Sequence, residues 1–148
     1  MDKILGDAAA TEQLGIRLAA LVAAGDVITL SGPLGAGKTS VARGLLAALG
    51  LAGEAPSPSF AIVQPYAPPE LRLPVLHIDL YRIDDPDELE ELGLDDAADE
   101  SVLIVEWPER APGRWPEALA LTLEIQPDGT RRLTAEVPAA WKARWQQI

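Results

Sequence analysis

The segment Gly32–Thr39 carries the residues with the clearest chemistry in the chain. Its sequence, Gly-Pro-Leu-Gly-Ala-Gly-Lys-Thr, matches the pattern Gly-x₄-Gly-Lys-Ser/Thr. Glycines let the backbone curl so that consecutive N–H groups reach one anion, and the N-terminus of a following helix strengthens the attraction. Lys38 can neutralise β- and γ-phosphate oxygens, and the Thr39 hydroxyl can bind Mg²⁺. The segment therefore predicts a site for ATP with Mg²⁺.

Two acidic residues stand where such a site needs a carboxylate. Glu106 directly follows the apolar run 102–105, so we expect it at the carboxyl end of a buried strand, beside the phosphates. Asp79 lies in an otherwise apolar strand, where an acid is costly unless it meets a cation or a metal. The alternative for each is an ordinary surface acid at a strand end. Together they favour hydrolysis of the nucleotide over binding alone.

Two ring-bearing residues near these acids have open roles. Trp107 follows Glu106 and is either a core residue or an aromatic side chain that packs on the nucleotide. His77 is the only histidine, and strand alternation places it on the same face as Asp79. We interpret His77 as a packed residue rather than a general base.

Four further polar residues also have two interpretations each. Ser57 and Ser59 flank a proline, so they either hydrogen-bond within a turn or belong to a switch that senses the γ-phosphate. Tyr81 and Arg82 are candidates for contact with a ligand or a partner protein.

Periodicity and turn residues indicate the elements that position these groups. The predicted helices are 8–24, 38–49, 86–92 and 139–147. The predicted strands are 27–31, 60–64, 73–80, 101–105, 119–125 and 131–137. The two strands 60–64 and 73–80 should pair antiparallel because their connection is short, and the last two should form a hairpin. This order predicts an α/β protein with a mixed sheet, parallel in the middle and antiparallel at the edge.

Length and composition narrow the class of protein. The chain has 148 residues, of which 48% are hydrophobic, so we expect one domain spanning residues 1–148. It contains no cysteine, which excludes thiolate metal sites and suits a reducing compartment. We find neither the pattern of a signal peptide nor an apolar stretch of roughly 20 residues that could span a membrane. These features predict a cytoplasmic protein.

The charge is strongly negative and unevenly distributed. The net charge is −11, and residues 84–100 hold ten acids and no base. Such a chain repels phosphate backbones, so direct contact with nucleic acid should be weak or absent. The acidic run is either a solvated helical face or a docking surface for a basic partner.

With these motifs in place, the sequence resembles the TsaE (YjeE) family of bacterial ATPases, which act in the synthesis of threonylcarbamoyladenosine in transfer RNA. The resemblance covers nearly the whole chain in matching order. It rests on Gly32–Thr39, Ser57–Phe60, His77–Arg82, Asp85–Glu90 and Val105–Trp107.

The resemblance implies a three-layer P-loop NTPase fold and a set of site residues. Thr39 and Glu106 would hold Mg²⁺, and Asp79 would be needed for ATP hydrolysis alongside Lys38. The phosphates would be cradled by Leu34, Gly35, Ala36, Gly37, Lys38 and Thr39. Thr11 would lie by the adenine, and Arg131 would approach the nucleotide. The implied partners are TsaB and TsaD, with TsaD transferring the threonylcarbamoyl group and the ATPase resetting or activating the complex.

Two other functions remain open from the residues alone. The first is a small-molecule P-loop kinase, although such kinases usually carry an Arg-rich lid and residues 84–100 contain no arginine. The second is a nucleotide-gated interaction module in which hydrolysis is incidental. A GTPase is disfavoured because the Asn-Lys-x-Asp guanine signature is absent.

Overall fold

The computed structural model describes residues 2–52, 63–94 and 98–148, with only the backbone described for residues 91 and 92. Its strands are β1 (Asp2–Leu5), β2 (Val27–Ser31), β3 (Val63–Tyr66), β4 (Val75–Asp79), β5 (Val102–Glu106), β6 (Leu119–Ile125) and β7 (Arg131–Glu136). The α-helices whose bounds lie wholly within the described residues are α1 (Ala8–Ala19), α2 (Lys38–Leu49) and α3 (Lys142–Trp145). Three 3₁₀ segments are Pro86–Leu92, Pro108–Arg110 and Ala139–Trp141. In the described part of the chain no helix is both long and apolar enough to cross a membrane.

The strands form one mixed sheet in the order β1-β7-β6-β2-β5-β4-β3. The four middle strands β6, β2, β5 and β4 run parallel to one another. Antiparallel pairs close both sides, β3 against β4 at one side and β7 and β1 beyond β6 at the other. The predicted arrangement of parallel strands in the middle and antiparallel strands outside is confirmed.

Helices and loops cover both faces of the sheet, so the apolar core has two parts. One cluster joins α1, α2 and α3 to one sheet face and includes Leu18, Leu45 and Ile104. The other covers the opposite face and includes Ile78, Leu89 and Val105. Neighbouring residues of β5 alternate between the two clusters, as the strand period of two requires. This is the layered arrangement expected for strands that are apolar on both faces.

Helices α1 and α2 approach each other closely through two glycines. A Cβ atom added to Gly15 would lie 2.1 Å from the carbonyl oxygen of Val41, and one added to Gly44 would lie 2.1 Å from that of Glu12. Any larger residue would collide with backbone at either point. The close crossing places α1 directly beside the start of α2, next to the Gly-rich loop.

Some predicted boundaries are wrong. The first helix ends at Ala19, not at residue 24. The Asp26 carboxylate accepts a hydrogen bond of 2.8 Å from the Ala23 N–H, and the Asp26 N–H donates back to the Ala23 carbonyl. This turn competes with the last helical turn and redirects the chain into β2. The Asp7 side chain caps the start of the helix by accepting from the Ala10 N–H at 2.8 Å.

Other differences concern short or edge elements. The edge strand β1 was not predicted, because four residues with two charged side chains carry little strand signal until β7 pairs with them. The acidic segment 86–92 is a 3₁₀ helix, and the C-terminal helix is a 3₁₀ turn followed by a short α-helix. Strand 73–80 shortens to β4. Of the predicted strand 60–64, residues 60–62 lie outside the described residues, and β3 begins at Val63.

Candidate phosphate-loop site

The loop between β2 and α2 has the backbone that a phosphate cradle requires. Gly32, Gly35 and Gly37 have φ values of 139°, 80° and 108°, which other residues rarely adopt. A Cβ on Gly32 would lie 2.3 Å from the Leu123 carbonyl oxygen, so β6 also excludes a side chain there. Helix α2 begins at Lys38, directly after the loop. The loop therefore curls at the N-terminus of α2, where N–H groups lack helical partners.

Arg131 at the start of β7 holds this loop from outside. Its Nε donates to the Ala36 carbonyl at 3.1 Å and its Nη2 donates to the Gly35 carbonyl at 3.2 Å. A third bond, from Nη1 to the Gly129 carbonyl at 2.7 Å, ties the guanidinium to its own hairpin. Because a trans peptide directs its C=O and N–H to opposite sides, these contacts set the orientation of two loop peptides. Arg131 therefore contacts the backbone of the Gly-rich loop.

Lys38 is folded back onto its own loop. Only 5% of the residue is exposed, and its ammonium donates to the carbonyl oxygens of Gly32 and of Pro33, the latter at 3.2 Å. The ammonium also lies 3.9 Å from the centre of the Trp107 ring. Burial lowers the pKa of Lys38, while the nearby carboxylates of Glu106, Glu109 and Asp79 act in the opposite direction.

Thr39 and Glu106 meet at the carboxyl end of the parallel strands. The Thr39 hydroxyl donates to Glu106 Oε1 at 3.3 Å. Strands β2 and β5 are paired so that Leu30 stands opposite Glu106, which brings the carboxylate to the edge of the loop. Glu106 is 3% exposed, so the carboxylate is buried beneath the loop. Its second oxygen, Oε2, lies 2.7 Å from Nε2 of His77.

Asp79 lies beside Glu106 on the next strand. The two residues are directly paired in the parallel register of β4 and β5. The Asp79 carboxylate accepts a hydrogen bond of 2.9 Å from the Tyr81 N–H. Burial raises the pKa of Asp79, the Glu106 charge raises it further, and the Tyr81 bond together with the charges of His77 and Lys38 lowers it. This carboxyl group is therefore easier to protonate than an exposed aspartate.

Trp107 adopts a backbone conformation that is unusual for its residue type. Its φ of 61° lies in the left-handed region, and among the described non-glycine residues only Trp107 does so. Its N–H donates to the Leu30 carbonyl at 3.2 Å, which anchors the turn to β2. The ring lies 4.9 Å from that of Tyr81, tilted by 47°, and under the Lys38 ammonium. Trp107 therefore lines the site and also packs against the apolar cluster that contains Ile78 and Val105.

Two residues expected near the nucleotide lie on different sides of the loop. Thr11 is 1% exposed, and its hydroxyl donates to the Asp7 carbonyl at 3.1 Å. Its methyl group would lie 3.0 Å from a Cβ on Gly37, so it packs against the back of the loop. Leu34 is 68% exposed at the loop tip. Ser57 and Ser59 lie outside the described residues.

Glu109 is a site residue that the sequence did not reveal. Its Oε2 accepts a hydrogen bond of 3.4 Å from the Ser31 hydroxyl, at the point where β2 enters the loop. It also contributes to the negative potential at Lys38. Glu109 follows Glu106 by only three residues, but the 3₁₀ turn that returns it to the site was not predicted.

The donor groups present fit Mg²⁺ held together with a triphosphate. Among the described residues no group of three or more His, Asp or Glu side chains could hold a metal by itself. Mg²⁺ in nucleotide sites takes one or two protein oxygens and fills its other positions with phosphates and water. The Thr39 hydroxyl and the Glu106 carboxylate, adjacent to the loop, match that requirement.

A parallel sheet with a strand–Gly-rich loop–helix unit, and an acid on the neighbouring strand, defines the class of P-loop NTPase folds. The family model "Threonylcarbamoyl adenosine biosynthesis protein TsaE" matches residues 5–134. The chain belongs to the TsaE family.

Individual relatives agree with this assignment. Proteins named tRNA threonylcarbamoyladenosine biosynthesis protein TsaE are 46% identical over 66% of the chain in Streptomyces coelicolor and 36% identical over 89% of it in a Nostoc species. The match spans 66% of the length of the Streptomyces protein and 83% of the Nostoc protein. The crystal structure of YdiB from Bacillus subtilis superimposes with a TM-score of 0.79 at 27% identity, covering 99% of this chain and 91% of YdiB.

Proposed function

We propose that this protein binds ATP with Mg²⁺, hydrolyses the ATP, and acts in the synthesis of threonylcarbamoyladenosine in transfer RNA. The observation that carries the proposal is the meeting of the Thr39 hydroxyl with the Glu106 carboxylate at the mouth of the Gly-rich loop. A bound Mg²⁺ would draw negative charge from the β- and γ-phosphate oxygens. The names of the relatives support the biosynthetic role.

Each residue of the site has a distinct part in binding. The loop N–H groups and the N-terminus of α2 would receive the phosphates. Lys38 would exchange the carbonyl oxygens of Gly32 and Pro33 for phosphate oxygens, which are better partners for an ammonium because they carry charge. Thr39 and Glu106 would hold the metal. Arg131 would keep the loop in its receiving conformation through the carbonyl groups that it already binds.

Asp79 would act on the water that attacks the γ-phosphate. Its carboxylate adjoins Glu106 but is held only by the Tyr81 N–H among the described hydrogen bonds, so acceptor capacity remains for a water molecule. Its raised pKa brings it closer to that of an effective base than an exposed aspartate. We therefore expect Asp79 to orient and deprotonate the nucleophile.

Membership of the TsaE family supports a proposal for the partner proteins. We propose that the protein works with TsaB and TsaD in the cytoplasm, with slow ATP turnover in their absence. Its net charge of −11 disfavours direct binding to transfer RNA, so ATP hydrolysis would act on the partner proteins.

The test combines ATP turnover with formation of the modified nucleoside. Wild-type protein, Lys38→Ala, Asp79→Ala and Glu106→Ala are each assayed alone and with purified TsaB and TsaD. We expect ATP binding to be lost in Lys38→Ala, turnover to fall by about 100-fold or more in Asp79→Ala with binding retained, and modification to fail in both. Wild-type modification by Lys38→Ala would contradict an ATP-dependent role. Transfer of phosphate to a free metabolite would indicate a kinase instead.

A further inference from the structure

His77 is a buried residue for which the proposed chemistry has no direct use. It lies in β4, opposite Ile104 of β5 and Gln64 of β3, and is 1% exposed. A buried imidazole needs hydrogen-bond partners for its ring nitrogens. Among the residues that the structure describes, one of the two nitrogens has a partner. Nε2 lies 2.7 Å from Glu106 Oε2, while Nδ1 has none in the described part of the chain.

The Glu106 carboxylate has one contact on each of its two oxygens. With Glu106 ionised, Nε2 carries a hydrogen and donates it to Oε2. Oε2 is thereby engaged by His77, while Oε1 faces the Thr39 hydroxyl at 3.3 Å. The two contacts hold opposite oxygens of one carboxylate, so the carboxylate plane cannot rotate freely. Oε1 is left on the side of the loop.

We propose that His77 is a positioning residue that orients Glu106 for Mg²⁺, an inference that rests on the proposed ATP and Mg²⁺ site. A hydrogen bond to the far oxygen of a metal-binding carboxylate fixes its direction and makes binding of the metal less costly in entropy. The 2.7 Å contact between Nε2 and Oε2 joins His77 to the carboxylate that would hold the metal, and packing alone does not require such a contact. The role assigned here requires only the Nε2–H donor.

Three variants separate orientation from packing. His77→Gln keeps an N–H donor near the position of Nε2, whereas His77→Asn keeps a polar amide that is too short to reach Glu106. His77→Leu removes the polarity altogether. The affinity for ATP is measured by calorimetry in EDTA and in excess Mg²⁺, and the ratio of the two dissociation constants gives the Mg²⁺ enhancement. Thermal unfolding of each variant is recorded in parallel.

We expect the Mg²⁺ enhancement to fall about tenfold in His77→Leu and His77→Asn, and to stay within about threefold of wild type in His77→Gln. ATP affinity in EDTA should be similar in all proteins. Introduced into a Glu106→Gln background, His77→Leu should lower the enhancement no further, because His77 acts through Glu106.

Three results would overturn the proposal. One is a wild-type enhancement in His77→Leu despite a lowered unfolding temperature, and another is an equal loss in His77→Gln and His77→Asn. If His77→Leu fails to fold, the comparison of Gln with Asn decides the question. A wild-type protein that binds ATP without any Mg²⁺ enhancement would overturn the metal-orienting role while leaving ATP binding intact, and one that binds no ATP would overturn the proposed function itself.

Discussion

Asp79 and Glu106 stand directly opposite each other on the parallel strands β4 and β5, so two carboxylates share one end of the sheet. The two acids are nonetheless held differently. Glu106 is fully buried and contacts both His77 and Thr39, whereas Asp79 is half-buried and accepts a hydrogen bond from the backbone of Tyr81. In the proposed function, this difference would separate a metal-binding role for Glu106 from a proton-accepting role for Asp79.

The burial of Asp79 predicts that a neutral side chain at this position raises the stability of the protein and lowers its ATP turnover. Its pKa is raised above the ordinary 3.8, mainly by burial, so the folded chain holds this proton more tightly than the unfolded chain does. The free energy of unfolding therefore decreases as pH rises from 3.8 through the raised value. Asp79→Asn is neutral at every pH and keeps an oxygen for the Tyr81 N–H. We expect it to unfold at a higher temperature than wild type at neutral pH.

Thermal unfolding across a pH series checks this prediction. The stabilisation by Asp79→Asn should shrink as the pH is lowered towards 3.8, where wild-type Asp79 also becomes protonated. ATP turnover by the same variant should be strongly reduced. A variant less stable than wild type at neutral pH would contradict the assigned effect of burial.

Arg131 and its neighbour Arg132 form a matched pair for testing the support of the loop. Arg131 donates to the carbonyl groups of Gly35 and Ala36, whereas Arg132 forms an exposed ion pair with Asp2. Exposed pairs contribute little, while hydrogen bonds from charged donors contribute about 1.5–3 kcal/mol. We expect Arg131→Ala to weaken ATP binding about tenfold and Arg132→Ala to leave it unchanged. Calorimetric titration with ATP measures both, and equal affinities in the two variants would refute a role for Arg131.

The close crossing of α1 and α2 predicts different effects for two glycine-to-alanine substitutions. Gly15→Ala would place a methyl group 2.1 Å from the Val41 carbonyl oxygen, whereas Gly6 has no atom within 4 Å of an added Cβ. Forcing the helices apart should cost about 1–3 kcal/mol of unfolding free energy. Urea denaturation should therefore show a loss in Gly15→Ala and little change in Gly6→Ala. ATP binding should also weaken in Gly15→Ala, because α1 supports the back of the loop through Thr11.

The contacts of Arg144 predict that the C-terminal helix α3 contributes to the stability of the protein. Its guanidinium binds the Asp26 carboxylate at 2.6 Å and the Leu21 carbonyl at 3.0 Å, and lies 3.9 Å from the centre of the Trp141 ring. These contacts fasten α3 to the turn that precedes β2. We expect Arg144→Ala to lower the free energy of unfolding by about 1–3 kcal/mol. In urea denaturation, Lys142→Ala on the same helix serves as the exposed control, and equal stability of the two variants would contradict the prediction.

Several elements were predictable because their signals are local. The unit from β2 to α2 was predicted at its observed bounds: a short apolar run specifies the strand, glycines allow the left-handed loop, and Gly50 ends the helix at a φ of 126°. The hairpin of β6 and β7 was predicted almost as closely from its turn residues. By contrast, β1 was missed because its partner β7 is distant in the chain. Helix α1 was predicted too long because the Asp26 side chain holds a turn that redirects the chain after the helix.

The sequence by itself determined the Gly-rich loop with its lysine and threonine, and it placed the two acids at the ends of strands. These features depend on residue types within a few positions of one another. The tertiary structure alone decided which groups meet. Strand order brings β4 beside β5, which sets His77 and Asp79 against Glu106. The return of β7 brings Arg131 to the loop from 96 positions away in the chain. Such contacts depend on pairing between distant strands, whose register is set by burial of whole sheet faces and leaves no signal in a short stretch of sequence.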